Sequence, residues 1–342
     1  MSQPVIRYAF DQAPAVGDAT EIFPGLLWAR LGLPMALDHI NVWISRSDQQ
    51  SVIIDTGINT RTSKETWQTL FSKYVAPRTL AKVVATHLHP DHVGLAGWLT
   101  REHDCELYMT RSEYLLCRTL CFDSSLEIPE EALAFYRAAG ITEEQLKLYS
   151  SMYGGFGRAV TPLPQSYRRL QEGDTLDLCD ETWTILVGNG HSPEHACLFN
   201  AERNVLISGD QILPRISSII AVWPTEPEAD PLGDWLQSCR RFAHDVAADT
   251  LVLPSHGLPF YGAPARLRQL IDHHESSLEQ LFARCSTPQR AIDVFDVLFH
   301  SAIDDSNRVM AVGETMAHFN HLRHQGRIER ERIDGVDWYH SR

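Results

Sequence analysis

The chain has 342 residues, 44% hydrophobic and 22% charged, with 20 Gly and 18 Pro, a balance that excludes disordered and fibrous classes and leaves a folded globular protein of one large domain or two. Thirty basic against 44 acidic side chains give a net charge of −14, so the surface repels polyanions and nucleic acid is disfavoured as a partner. No apolar run approaches the roughly 18 residues of a membrane span, the segment Met1–Tyr8 lacks a secretory signal pattern, and seven scattered cysteines without a CxxC pair fit reduced thiols; a cytoplasmic location is expected.

In chain order, Val42-Trp43-Ile44 and Val52-Ile53-Ile54 read as strands, Lys64 to Phe71 as a helix and Ala81 to Thr86 as a strand, which makes a layered α/β beginning. Residues 111–170 are more helical, with Glu130 to Ala139 and Glu143 to Ser150 separated by Gly140, and read as an insertion or cap. There Tyr136, Tyr149, Met152, Tyr153 and Phe156 offer either apolar walls to a pocket or the core of the inserted helices. Strand character returns at Thr175 to Leu178, Thr182 to Val187, Cys197 to Phe199, Val205 to Ser208 and Leu251 to Leu253, and a helix follows from Pro264. The first domain is expected to span 1–284.

Residues 285–342 predict a different unit. Thr287-Pro288 reads as an N-cap with Pro at N1 opening a helix through Leu298; Val312, Met316, Phe319 and Leu322 mark a second helix stopped at Gly326. A hairpin turning at Asp334-Gly335 completes a winged-helix-like domain. Arg323, Arg327, Arg330 and Arg332 cluster there, but seven Arg face nine Asp and Glu, which argues for an interface or pocket wall rather than a DNA reader.

The chemistry concentrates in Thr86-His87-Leu88-His89-Pro90-Asp91-His92 at the end of a strand. Alternate residues of extended backbone point the same way, so His87 and His89 can grip one ion, while the turn at Pro90 lets Asp91 and His92 face a second. His191, Asp210 and His256 each stand just past a later apolar strand, flanked by Gly or Pro, and equivalent strand ends meet on one rim. Five His and two Asp exceed the four ligands of one tetrahedral ion, so two ions are expected.

Through Ile54-Asp55-Thr56-Gly57, His87-x-His89-x-Asp91-His92, Gly190-His191-Ser192, Gly209-Asp210 and Ser255-His256-Gly257, the chain from about 36 to 275 resembles the metallo-β-lactamase superfamily. The resemblance implies an αββα sandwich with the site on one edge, His87, His89 and His191 on the first metal, Asp91, His92 and His256 on the second, and Asp210 bridging. It also implies that Asp55 orients a ligand and that His195 supports the site from behind. Ala311 to Leu322 followed by Gly326-Arg327-Ile328-Glu329 looks like the tail of a lactamase-β-like hydrolase branch.

Two divalent ions, zinc first with manganese or iron as alternatives, would lower the pKa of a shared water toward about 7 and give a bridging hydroxide, with Asp91 relaying a proton. A small ester or thioester is the expected substrate. A phosphodiesterase or endoribonuclease is the main alternative, set back by the acidic charge. A mono-iron enzyme resembling persulfide dioxygenases and a DNA-reading ligand sensor are the others. Lactonase relatives often carry a Tyr shortly after the bridging Asp, where this chain has Gln211-Ile212-Leu213-Pro214. A homo-oligomer is compatible with all of these readings.

Overall fold

Near-continuous burial along the central strands, residue after residue over 40–45 and 205–209, requires two sheets that are covered on both faces. In the computed structural model, which describes residues 6–124, 127–299 and 301–342, these sheets stack as the middle layers of a four-layer αββα sandwich. The Met152 side chain and most of the Met1–Tyr8 segment lie outside the described residues.

The N-terminal half supplies β1 (Arg7–Tyr8), β2 (Ala19–Phe23), β3 (Leu26–Gly32), β4 (His39–Arg46), β5 (Gln50–Ile54), α1 (Arg61–Leu70), β6 (Thr79–Val84), α2 (Pro90–Val93), α3 (Ala96–Glu102), β7 (Glu106–Thr110), α4 (Arg111–Asp123), α5 (Glu130–Ala138), α6 (Glu143–Met152), α7 (Gly155–Ala159) and β8 (Arg168–Leu170). Strands β2 to β8 form the first sheet in sequence order, antiparallel to β5 and parallel from β5 to β8. The second sheet runs β1-β14-β13-β12-β11-β10-β9 from β9 (Thr175–Leu178), β10 (Glu181–Gly188), β11 (His195–Asn200), β12 (Val205–Gly209), β13 (Leu251–Pro254) and β14 (Phe260–Tyr261), with helices α8 (Pro231–Asp245) and α9 (Ala263–Arg284) outside it.

Alternation decides which core each side chain enters. Trp28, Trp43, Ile54, Trp183, Ile185, Leu198 and Ile207 fill the space between the sheets. Their neighbours Leu27, Val42, Ile44 and Ile53 turn outward onto Trp67, Leu99 and Tyr114 of α1, α3 and α4. Cys197, Leu206 and Val252 turn outward onto α8 and α9. The parallel strands β5 and β6 and the parallel pair β12 and β13 deliver their C-terminal ends to one rim. Backbone bonds stitch the sheets there: Asn41 N–H donates to the Ser255 carbonyl at 2.7 Å, and Ala196 N–H to that of Thr86 at 2.8 Å.

The segment read as an insertion is narrower than 111–170. Its end, β8, pairs with β7 in the first sheet, and α4 packs on that sheet through Tyr114 and Cys117. Tyr136 and Tyr149 do not wall the candidate site: their rings pack 4.6 Å apart and join the core shared with the C-terminal unit, while Phe156 packs against the first sheet's outer core.

That C-terminal unit contains α10 (Phe295–Leu298), α11 (Arg308–His324) and the hairpin β15 (Ile328–Ile333) and β16 (Val336–Ser341), turned at Asp334-Gly335 as expected. Thr287-Pro288 is not a helix cap. Gln289 pairs with Tyr339 beside the hairpin, and a short 3-10 turn, Ala291–Val294, leads into α10, with Asp293 closing on Arg290. Val312, Met316, Phe319 and Leu322 bury against α8 and α9, so this unit and the outer helices share one core. Each arginine of the C-terminal cluster is spent internally: Arg323 and Arg330 on Glu228, Arg327 on Glu279 and Arg332 on Asp337. No helix among the described residues is long and apolar enough to cross a membrane.

Candidate metal centre

Four short segments at the rim converge. His87 and His89 leave the end of β6; Asp91 and His92 sit in α2, which begins at Pro90, where the proline ring pre-sets the first helical φ. His191 follows β10, Asp210 follows β12 and His256 follows β13. One donor atom from each of His87, His89 and His191 lies within 4.8 Å of the others, and the same holds for Asp91, His92 and His256, and for His87, His92 and Asp210. All seven residues are buried or nearly so.

The spacing within these groups fits shared ions. In the first, His87 Nε2 is 2.9 Å from His89 Nδ1 and 3.2 Å from His191 Nε2. In the second, Asp91 Oδ2 is 3.6 Å from His92 Nε2 and 3.4 Å from His256 Nε2. Donors around a tetrahedral ion with bonds of 2.0–2.1 Å lie about 3.3 Å apart. Asp210 joins the groups, its Oδ2 3.4 Å from His191 Nε2 and its Oδ1 3.5 and 3.4 Å from His92 and His256 Nε2. His92 Nε2, His256 Nε2 and Asp210 Oδ1 are buried without a hydrogen-bond partner, an expensive state for polar atoms that coordination relieves.

The outward nitrogens fix the tautomers. His191 Nδ1 donates to the Ile219 carbonyl and His256 Nδ1 to that of His39, both at 2.7 Å, and His92 Nδ1 donates to Asp55 Oδ2 at 2.8 Å. In each case Nε2 is the nitrogen turned inward, toward the candidate ion. Asp55 also accepts from Thr86 N–H at 2.8 Å and from the Thr86 hydroxyl, which places it behind His92 rather than in the ligand shell. It holds a left-handed backbone, φ 59°, which aspartate tolerates better than most residues.

His195 likewise stands behind the shell: its Nε2 accepts the Asp210 N–H at 3.0 Å. Glycine at 209 is required there, because a Cβ would lie 2.4 Å from the His195 ring at φ 52°.

Burial, reinforced by neighbouring histidines, holds His87 and His195 well below the ordinary imidazole range and His89 at about 3. On the other side burial is outweighed by carboxylates. Asp91, Asp210 and Asp55 raise His92 well above its usual value, and Asp210 and Asp91 raise His256 to about 10. The cluster thus sets the neutral rings of His87 and His89 beside a concentration of carboxylate charge that holds protons on His92 and His256, protons that a divalent cation would displace.

Three contributors were given no role by the sequence, although Thr86 heads the ligand run. Glu113, buried on α4, accepts Leu88 N–H at 2.9 Å and Glu194 N–H at 2.8 Å, clamping both ligand loops. Thr86 bridges Asp55 to His87 and His92. His39 Nε2 accepts the Gly257 N–H at 2.9 Å beside His256. The nearest signal for Glu113 was its place beside Tyr114 and Cys117 on a buried helix face.

Residues 36–256 match the family model described as the metallo-beta-lactamase superfamily. The chain belongs to that superfamily. Residues 278–342 match the model of the metallo-beta-lactamase-like C-terminal domain, so this superfamily member carries both parts. It is similar to a crystal structure of a beta-lactamase domain protein from Burkholderia ambifaria, at 37% identity and TM-score 0.89 over 98% of each chain. It shares its fold with a metallo-beta-lactamase family protein from Thermus thermophilus, at 24% identity and TM-score 0.80, covering 94% of this chain and all of that one. Among curated relatives are the probable metallo-hydrolase YqjP of Bacillus subtilis, 25% identical over 86% of this chain and 90% of that one, and the human acyl-coenzyme A thioesterase MBLAC2, 26% identical over 68% and 78%. The chain is a metallo-hydrolase of the metallo-beta-lactamase superfamily, with the His and Asp groups that divalent ions need.

Proposed function

We propose that this metallo-hydrolase cleaves acyl thioesters at a centre of two divalent ions, zinc first. The observation that carries the two-ion reading is Asp210, whose two oxygens face different ligand groups. His87, His89 and His191 would hold one ion and Asp91, His92 and His256 the other, with Asp210 shared. Nitrogen and carboxylate donors at near-tetrahedral spacing suit zinc. When bound, such a pair supplies the Lewis acidity that makes water a nucleophile near neutral pH and polarises a carbonyl.

The chain's own groups then bias the substrate. Asp91 is the most solvent-facing carboxylate of the cluster, its side chain 17% exposed against 11% for Asp210, and is the group suited to take a proton at the mouth of the site. The histidines of the cluster are committed as ligands or, for His195, as an acceptor for Asp210, so none stands ready as a protonated acid for an alkoxide or amine leaving group. A thiolate, whose conjugate acid has a pKa near 8.5, departs without that help. The thioesterase named among the relatives supports the same class. Internal pairing of the C-terminal arginines, with the −14 balance, supports a small substrate over a polyanion and argues against a nucleic-acid partner, and the free thiols suit a reducing compartment such as the cytoplasm.

The test is a parallel screen of zinc-loaded protein against acyl thioesters, aryl esters, lactones, bis-aryl phosphodiesters and single-stranded RNA, with Asp210→Ala as control. The highest kcat/KM is expected on a thioester, and lost in Asp210→Ala. Higher kcat/KM on RNA or a phosphodiester, lost in the same variant, would replace the proposal with a nuclease.

A further inference from the structure

A row of hydrogen bonds joins the C-terminal unit to the metal centre. Residues 214–222, which follow Asp210, form neither strand nor helix, yet they hold two ligands. The Ser218 hydroxyl donates to the Asp210 carbonyl, and the Ile219 carbonyl accepts from His191 Nδ1. Adjacent to them, Ser217 Oγ lies 3.1 Å from His274 Nε2 on α9. His274 Nδ1 lies 3.4 Å from His318 Nε2 on α11, and His318 Nδ1 lies 2.8 Å from the Glu314 carbonyl.

The direction of this row is fixed by proton count. A carbonyl only accepts, so His318 carries its hydrogen on Nδ1; a neutral ring then presents a bare Nε2, to which His274 Nδ1 must donate. His274 Nε2 is left bare, so the Ser217 hydroxyl donates to it. Burial supports neutral rings, lowering His274 to about 3 and His318 to about 4. The other acceptor within reach of Ser217, the Ser218 carbonyl, is farther at 3.3 Å. Helix α11 grips the same segment again through Val222 N–H on the Gly313 carbonyl, at a glycine whose Cβ would meet that of Ala221 at 2.9 Å.

We infer that His274 and His318 are positioning residues of the metal centre, and that the C-terminal helix sets the loop on which His191 and Asp210 depend. This rests on the metal-binding reading given above. Without the row, the segment is still held at its flanks, by Arg266 on the Leu213 and Ile216 carbonyls and by Val222 on Gly313, but it loses its anchor at Ser217, two residues from the carbonyl that fixes the His191 tautomer. Ser217, His274 and His318 also follow the order of a nucleophile, its base and an orienting group. Both rings are only 2% exposed, which leaves a substrate no access to the base and favours positioning.

Full-length His274→Leu, His274→Gln and Ser217→Ala are compared with wild type by Zn²⁺ titration of metal-free protein against a chromogenic chelator, by Co²⁺ absorption spectra and by thermal unfolding. Leu preserves apolar volume but neither donates nor accepts; the Gln amide does both. His274→Leu is expected to unfold cooperatively yet bind Zn²⁺ roughly 10- to 100-fold more weakly, with an altered Co²⁺ spectrum, and His274→Gln to recover most of the loss. Wild-type affinity in His274→Leu overturns the inference. Should that variant not fold, Ser217→Ala decides by the same readout: weaker Zn²⁺ binding supports the row and unchanged affinity overturns it. Failure of wild type itself to take up Zn²⁺ overturns the metal reading instead. Covalent labelling of Ser217 by a fluorophosphonate after chelation, absent in His274→Gln, replaces positioning with a serine nucleophile.

Discussion

Asp55→Asn separates orientation from ligation. The aspartate accepts on every side: from Thr86 N–H at 2.8 Å, from the Thr86 hydroxyl, and from His92 Nδ1 at 2.8 Å. Asparagine has the same shape but a single acceptor oxygen. If that oxygen keeps Thr86, the amide N–H₂ faces the His92 N–H, donor against donor. The ring escapes by moving its hydrogen to Nε2, the nitrogen that lies 3.5 Å from Asp210 and 3.6 Å from Asp91. A protonated Nε2 cannot coordinate. Loss of one such outer partner typically lowers metal affinity by about 10- to 100-fold, or about 1.4–2.8 kcal/mol. No cavity is created, so the metal-free protein should lose no more than about 1–3 kcal/mol, the range for one mismatched buried hydrogen bond. Competition titration with a chelator reads the affinity and denaturant unfolding of chelated protein reads the fold. Wild-type affinity in Asp55→Asn, or a loss as large as in Asp210→Ala, would refute the placement of Asp55 behind His92.

Asp210→Ala should lower uptake at both ion positions and abolish turnover, measured by elemental analysis and activity, because each carboxylate oxygen faces a different group. Glu113→Gln leaves one of two buried N–H donors facing an amide, so chemical denaturation should show a loss of roughly 1–3 kcal/mol. His256 stands at about 10 in the metal-free protein, above its ordinary 6.5; the stability it contributes is complete below pH 6.5 and is lost as pH rises toward 10, so the chelated protein should melt at lower temperature across that window. The same shift means that zinc displaces a proton from His256 at pH 8, which calorimetry in buffers of different ionisation enthalpy reads as net proton release. Gly209→Ala should yield little folded protein, since the added methyl would press on His195.

The convergence of the candidate ligands was legible because its chemistry is local: His87, His89, Asp91 and His92 fall within six residues, and His191, Asp210 and His256 each follow an apolar strand. Several strand positions were legible for the same reason, since apolar runs such as Val52-Ile53-Ile54 and Leu251 to Leu253 are written residue by residue. What each inserted aromatic would touch was not. Tyr136 and Tyr149 show a buried helix face, but their partners lie in the C-terminal unit, far along the chain, and no local pattern distinguishes that surface from a pocket wall. Thr287-Pro288 carried a genuine cap signal, overridden by the pairing of Gln289 with Tyr339. Glu113, His274 and His318 escaped because a buried polar residue announces itself only through the groups that satisfy it.

The stitches between Asn41 and Ser255 and between Ala196 and Thr86 also govern when the centre comes into being. The candidate ligands range from His87 to His256, and each group draws on the rims of both sheets, His87 and His89 with His191, and Asp91 and His92 with His256, so neither group is complete within one sheet. These are contacts of long sequence separation, the kind that form late in folding. On the proposed metal reading, a complete ion position would form only after the two sheets dock, and tight retention of metal would report a finished molecule.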